Sequence, residues 1–186
     1  MAEVNQPRDL GDWIGITVAL LSAFMAVTKV KDDNICQAMV QAKSNAVDTW
    51  SEYQSKKIKQ HMMEMGRNQT HDMALLAPGI AKDSMVAQIR DYEVEIKKYQ
   101  EEEKTLQTKA RDFEARYDLL NNRDDQFDLS DAGLSISLGV LGVAALTRKR
   151  WLLALSWFFG GFGLLMGLAG LLGWVIHPDW LTSLLS

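Results

Sequence analysis

The chain has 186 residues, of which 47% are hydrophobic and 24% charged, and its net charge is −4. That average suits an ordinary soluble protein, yet the apolar residues gather at the two ends and the charges in the middle. Residues 31–131 carry 15 basic and 20 acidic side chains, a net −5, which excludes the basic face that nucleic acid requires, and the lone Cys36 excludes an intrachain disulfide.

Residues 1–12 form a short tail in which Arg8 stands against Glu3, Asp9 and Asp12. That is a poor positive region for a cleaved signal, so the apolar run that follows reads as a retained anchor. This run, residues 13–30, is near the lower length limit for a transmembrane helix, with Lys29 at its edge where it can snorkel.

Residues 31–131 read as a helical hairpin. From Met85 to Phe127 apolar residues recur in alternating steps of three and four, provided Glu103 and Asp124 fill two vacant core positions. Six heptads in one phase predict a coiled coil. Upstream, Ile35, Met39, Ala42, Ala46, Trp50 and Tyr53 give a similar stripe that continues weakly through Lys57 and His61, and Cys36 reads as a small seam residue. A turn is expected near residues 73–79, where Pro78-Gly79 interrupts helix. The two arms then have matched lengths of roughly 60–75 Å at about 1.5 Å per residue.

Residues 132–147 form a second, short apolar segment, and residues 151–176 a longer, glycine-rich one. Arg148-Lys149-Arg150 between them predicts a tight turn at a membrane surface. Trp13, Trp151, Trp174 and Trp180 sit at or near segment ends, as an aromatic belt requires. The expected fold is therefore all-α: three transmembrane helices with a long antiparallel coiled-coil hairpin between the first and second, and a C-terminal tail at 177–186. Apart from Lys29 no ionisable residue lies inside a span, which argues against ion-coupled transport. The positive-inside rule puts the N-terminus and the Arg148–Arg150 turn in the cytoplasm and the hairpin in the periplasm, with Lys29 and Lys31 pulling the other way.

Residues Asp48-Thr49-Trp50-Ser51-Glu52-Tyr53-Gln54-Ser55-Lys56-Lys57-Ile58-Lys59-Gln60-His61 resemble a bacterial membrane family known as domain of unknown function 4337. That family carries Trp, Tyr, Gln, Lys, Ile and Lys at this spacing. Asp125-Gln126-Phe127-Asp128 and Leu146-Thr147-Arg148-Lys149-Arg150-Trp151 match it as well. The resemblance implies a small multi-pass protein of the bacterial inner membrane and brings no activity or functional residues with it.

Candidate interaction residues are Trp50, Tyr53 and Lys57, which share a helix face and could dock a partner. Trp50 and Tyr53 would otherwise fill the hairpin core. Gly163 and Gly167 form a GxxxG that could pair helices between copies, or pack within the chain. His61, Met65 and His71 belong to a His/Met cluster whose soft ligands suit Cu(I), or to a Met-rich helix end. No constellation predicts catalysis, a cofactor or a small-molecule substrate. The expected function is a non-catalytic, membrane-anchored scaffold or assembly subunit whose partners are the bilayer and either further copies or a membrane complex. Copper handling and a small oligomeric channel are the alternatives.

Overall fold

The computed structural model describes residues 10–174, so the C-terminal tail and most of the N-terminal tail lie outside the described residues. Among those described, the chain is helical almost throughout: α1 spans Leu10–Leu76, α2 spans Gly79–Thr147 and α3 spans Arg150–Leu172. Pro78 is the one proline between residues 10 and 174. It lacks an N–H donor and restrains the residue before it. Gly79 then takes a positive φ of 52° to start the return. The break therefore shrinks to Ala77-Pro78, tighter than the 73–79 stretch expected, and α1 runs through Asn68 and Thr70 without interruption. The hairpin arms are likewise continuous with the apolar segments, with no helix break near residues 30 or 131.

Two compact parts are distinguished among the described residues, one holding residues 10–39 and 118–174 and the other Val40–Tyr117. In Val40–Tyr117 the two long helices pack antiparallel. Trp50 Nε1 donates to Glu114 Oε1 at 2.9 Å, the Lys56 Nζ meets Glu102 Oε2 at 2.7 Å, and the ring of Tyr92 lies against Gly66. Ala42, Ala46, Ile96, Leu106 and Ala110 are buried between the arms. The small alanines let the helices approach closely, while Lys43 and Lys56 lie over the rings of Tyr117 and Tyr99 at the rim.

The seam follows a period of three and four residues, as the sequence suggests, but its membership differs in three places. Thr49 is buried beside half-buried Trp50, and the seam continues through Lys56 and Gln60, so Lys57 and His61 are exposed. Thr49 can enter the seam because its hydroxyl donates to Asn45 O at 2.7 Å, leaving no unpaired donor. Cys36 is exposed rather than in the seam, because Ile35 takes the inward position. Glu103 and Asp124 are half-buried.

In the other part, the start of α1, the end of α2 and α3 form a three-helix bundle. Ile14, Leu21, Leu134, Leu141, Leu152 and Leu153 make its core. Each of the three helices holds a stretch long and apolar enough to cross a membrane. The α2–α3 contact is close because glycine lines it. Gly160, Gly163, Gly167 and Gly170 are buried against Leu21, Phe24, Phe127, Ser130, Leu134 and Ser137. Two fully buried hydroxyls join the helices: Ser130 Oγ donates to Gly163 O at 2.8 Å, and Ser137 Oγ donates to Ser156 O at 2.8 Å. Both bonds satisfy groups that an apolar interior would otherwise leave costly.

Candidate functional site

The sequence-derived candidates fall in different places. Trp50, Tyr53 and Lys57 do come together: the indole and phenol rings meet edge-on at 5.4 Å, and the Lys57 Nζ lies 5.7 Å from the Tyr53 ring. The group sits at the rim of the helix pair, with Trp50 held to Glu114. Gly163 and Gly167 face α1 and α2 of their own chain, so packing within the chain occupies the GxxxG face. His61 and Met65 are exposed one turn apart. His61 Nδ1 lies 3.1 Å from Glu64 Oε2, and His71 lies beside Asp72. Ten helical residues separate the two histidines, about 15 Å along the axis, too far for one ion. Among the described residues no group of three or more His, Cys, Asp or Glu is arranged to hold a metal.

The feature the sequence reading missed lies at the end of the bundle where α3 terminates. Here α2 caps α3: Arg123 Nη2 donates to Gly170 O at 3.0 Å and Gln126 Nε2 to Trp174 O at 2.7 Å. Gly173, at φ 70°, closes the helix with a left-handed turn. Beside this cap, Asp32 of α1 is 8% exposed and lies within hydrogen-bonding reach of Asp124 of α2. Asp32 Oδ2 pairs with Lys29 Nζ at 2.9 Å. Asp32 Oδ1 is buried with no donor among the described side chains.

Burial, the charges of Asp128 and Asp32, and the hydrogen bond to Asp32 together push the Asp124 carboxyl up to about 6. Burial and the charge of Asp32 also raise Asp128, against the opposing pull of Lys29. The arrangement is a carboxyl pair able to keep one proton. A protonated Asp124 can donate a hydrogen bond to Asp32. A clue was present in the sequence. Asp124 occupies a core position of the α2 heptads, and extending the α1 stripe one step upstream from Ile35 lands on Asp32.

This pairing sets a pH dependence. Below about pH 4 Asp124 is neutral in both folded and unfolded chains. Between about 4 and 6 only the folded chain keeps the proton, so stability falls as pH rises through that window and stays lower above it. Asp124→Asn should therefore stabilise the bundle at pH 7.5 by on the order of 1 kcal/mol, discounting for solvent screening. It should also flatten the dependence between pH 5 and 7.5. Thermal melts across that range check it, and a wild-type midpoint that climbs with pH contradicts it. Measurements stay above pH 5 because Glu64 and Glu102, held low by hydrogen bonds from Gln60 and Lys56, lose their contributions only in stronger acid.

No curated protein and no solved structure matches the chain. A family profile described as a domain of unknown function, DUF4337, matches residues 10–173. That match takes in α1, the turn, α2 and α3, including the Trp50 face, the carboxyl pair and the glycine contact, and the chain belongs to the DUF4337 family.

Proposed function

We propose that this protein is a non-catalytic scaffold anchored in the bacterial inner membrane, whose Val40–Tyr117 helix pair acts as a coiled coil that associates with a second copy. The three apolar helices seat it in the bilayer. The cationic Arg148–Arg150 turn lies on the cytoplasmic side and the helix pair in the periplasm.

One observation carries the reading. The α1 helix presents a second apolar line, facing away from its seam with α2: Val40, Val47, Ile58 and Met65 are 55–71% exposed. Their spacings of 7, 11 and 7 keep them within roughly 20° of one another at about 100° per residue. A second copy is the fitting occupant because the bilayer sets orientation and height. Two copies inserted the same way run their α1 helices parallel, so each of these residues meets its own counterpart and the interface is self-complementary. Each such side chain contributes up to about 1.5–3 kcal/mol when fully buried. Gly11 and Gly15 of α1 have open space beside them, which would let the apolar ends of two copies approach as well.

Cys36 reports on this directly. It is exposed, and it precedes Val40 by one helical turn. Mild oxidation of the protein in native lipid discs should give a disulfide-linked dimer that Cys36→Ala abolishes. Val47→Glu with Ile58→Glu should weaken association at least a hundredfold, since an unpaired carboxylate buried in an interface costs about 3 kcal/mol or more. A wild-type chain of single-copy mass in the discs, with no cross-link, would sink the proposal.

A further inference from the structure

We infer that the cleft between the starts of α1 and α3 binds the phosphate headgroup of an anionic phospholipid. The inference rests on the bilayer reading above but not on self-association.

The cleft has a volume of about 310 Å³ and is lined by Leu10, Trp13, Arg150, Leu153 and Trp157. Among the described residues its only charged lining residue is the cation Arg150. Leu153 is buried at the base, and the two indoles form a wall, meeting edge-on at 6.2 Å. Trp157 Nε1 donates to Thr17 Oγ1 at 3.2 Å, which fixes that wall across the two helices. Arg148 and Lys149 flank the cleft in sequence. Arg148 takes a left-handed φ of 53°, and its N–H returns to Ala144 O at 2.8 Å. This tight turn concentrates three exposed cations in three residues, and none forms an ion pair with a described residue. Lys149 makes no side-chain cap, so the start of α3 adds its partial positive charge on the same side.

These parts suit a lipid better than a free anion. Arginine engages phosphate oxygens in bidentate fashion, and indoles prefer the headgroup level of a bilayer. From the cleft, α3 continues with exposed apolar side chains, Trp157, Phe158 and Leu165, along which acyl chains can lie. A cation near an anionic membrane surface strengthens attraction about fivefold, so three give about a hundredfold preference over a zwitterionic lipid.

Native mass spectrometry of the full chain, released from discs of mixed phosphatidylglycerol and phosphatidylcholine, tests this. The expected result is retained phosphatidylglycerol adducts, favoured about a hundredfold, and lost from Arg148→Gln/Lys149→Gln/Arg150→Gln. These side chains are exposed, so the variant should keep the helical circular dichroism of the wild type. If it does not, Arg150→Gln alone should show a several-fold loss. Brominated phosphatidylglycerol should quench tryptophan fluorescence more than brominated phosphatidylcholine, and Trp13→Phe/Trp157→Phe should remove the difference. Equal retention of the two lipids overturns the assignment, as does full displacement by millimolar inorganic phosphate, which would make the ligand a soluble anion. A chain that fails to fractionate with membranes sinks the bilayer reading instead.

Discussion

Replacing Gly163 with leucine should separate α2 from α3 and destabilise the bundle more than any other single change along their contact. A Cβ at this position meets Leu134 Cγ, Leu134 N and Ser130 O, all at 2.9 Å. Two of those atoms are backbone, so no rotamer change relieves the overlap. On the facing helix Gly133 is equally constrained, its own Cβ position lying 3.1 Å from Gly163 Cα. The helices must therefore move apart, and the buried bond from Ser130 Oγ to Gly163 O goes with them. Overpacking costs about 1–3 kcal/mol when side chains can adjust. A backbone overlap that also strands a buried hydroxyl should exceed that range. In the bilayer proposed for these helices the effect would not depend on water, because lipid tails solvate an isolated apolar helix as well as its neighbour does, and close packing is what holds such helices together. Gly161→Ala is the control: it sits in the same helix with nothing within 4 Å of the added methyl, and should leave the melting midpoint unchanged or slightly raised. Circular dichroism melts in detergent distinguish the two. Equal midpoints for both variants would mean that the glycine face does not hold α3 in place.

That contact also marks how far the sequence could be read. A GxxxG indicates close helix approach without saying which helix approaches. Only the facing Ser130, Leu134 and Phe24 identify the occupant of the Gly163–Gly167 face. The heptads of α2 were legible because apolar side chains dominate them, and Met85, Tyr92, Tyr99, Phe113 and Phe127 are all buried or half-buried. The α1 seam was harder to trace because polar residues occupy it. Thr28 and Thr49 hide there by bonding to carbonyls one turn back, and Lys56 by pairing with Glu102. Reading apolar residues alone shifts the phase from Thr49 to Trp50 and so to Lys57 and His61. The carboxyl pair was invisible for a related reason. A charged residue is scored against burial, so Asp32 is not sought in a seam until its partner Asp124 is seen across from it. The exposed Val40–Met65 line was legible as spacing, but the inward stripe has to be placed before an outward one has meaning.

Phe127→Ala should be the second large loss, and it carries its own test of cause. Phe127 is 2% exposed, and its ring lies over Gly170, where a Cβ would stand 2.9 Å from Cζ. Removing the ring should cost about 3–5 kcal/mol, as for other buried phenylalanines, through dispersion contacts that nothing replaces. The loss falls where Arg123 and Gln126 hold the end of α3, so the last turn of that helix should become exposed to protease before the rest of the bundle unfolds. Gly170→Ala alone should be mildly destabilising, because its methyl pushes against the ring. In the Phe127→Ala background the same methyl enters the vacated space and should restore stability. The two substitutions therefore have opposite expected signs for Gly170→Ala depending on residue 127, a coupling of about 1 kcal/mol or more in a double-mutant cycle. Additive effects would show that the ring and the glycine do not form one contact. Restoration would show that α3 is held at this end by the fit of a side chain into a small-residue groove, with the Arg123 and Gln126 hydrogen bonds following from that fit.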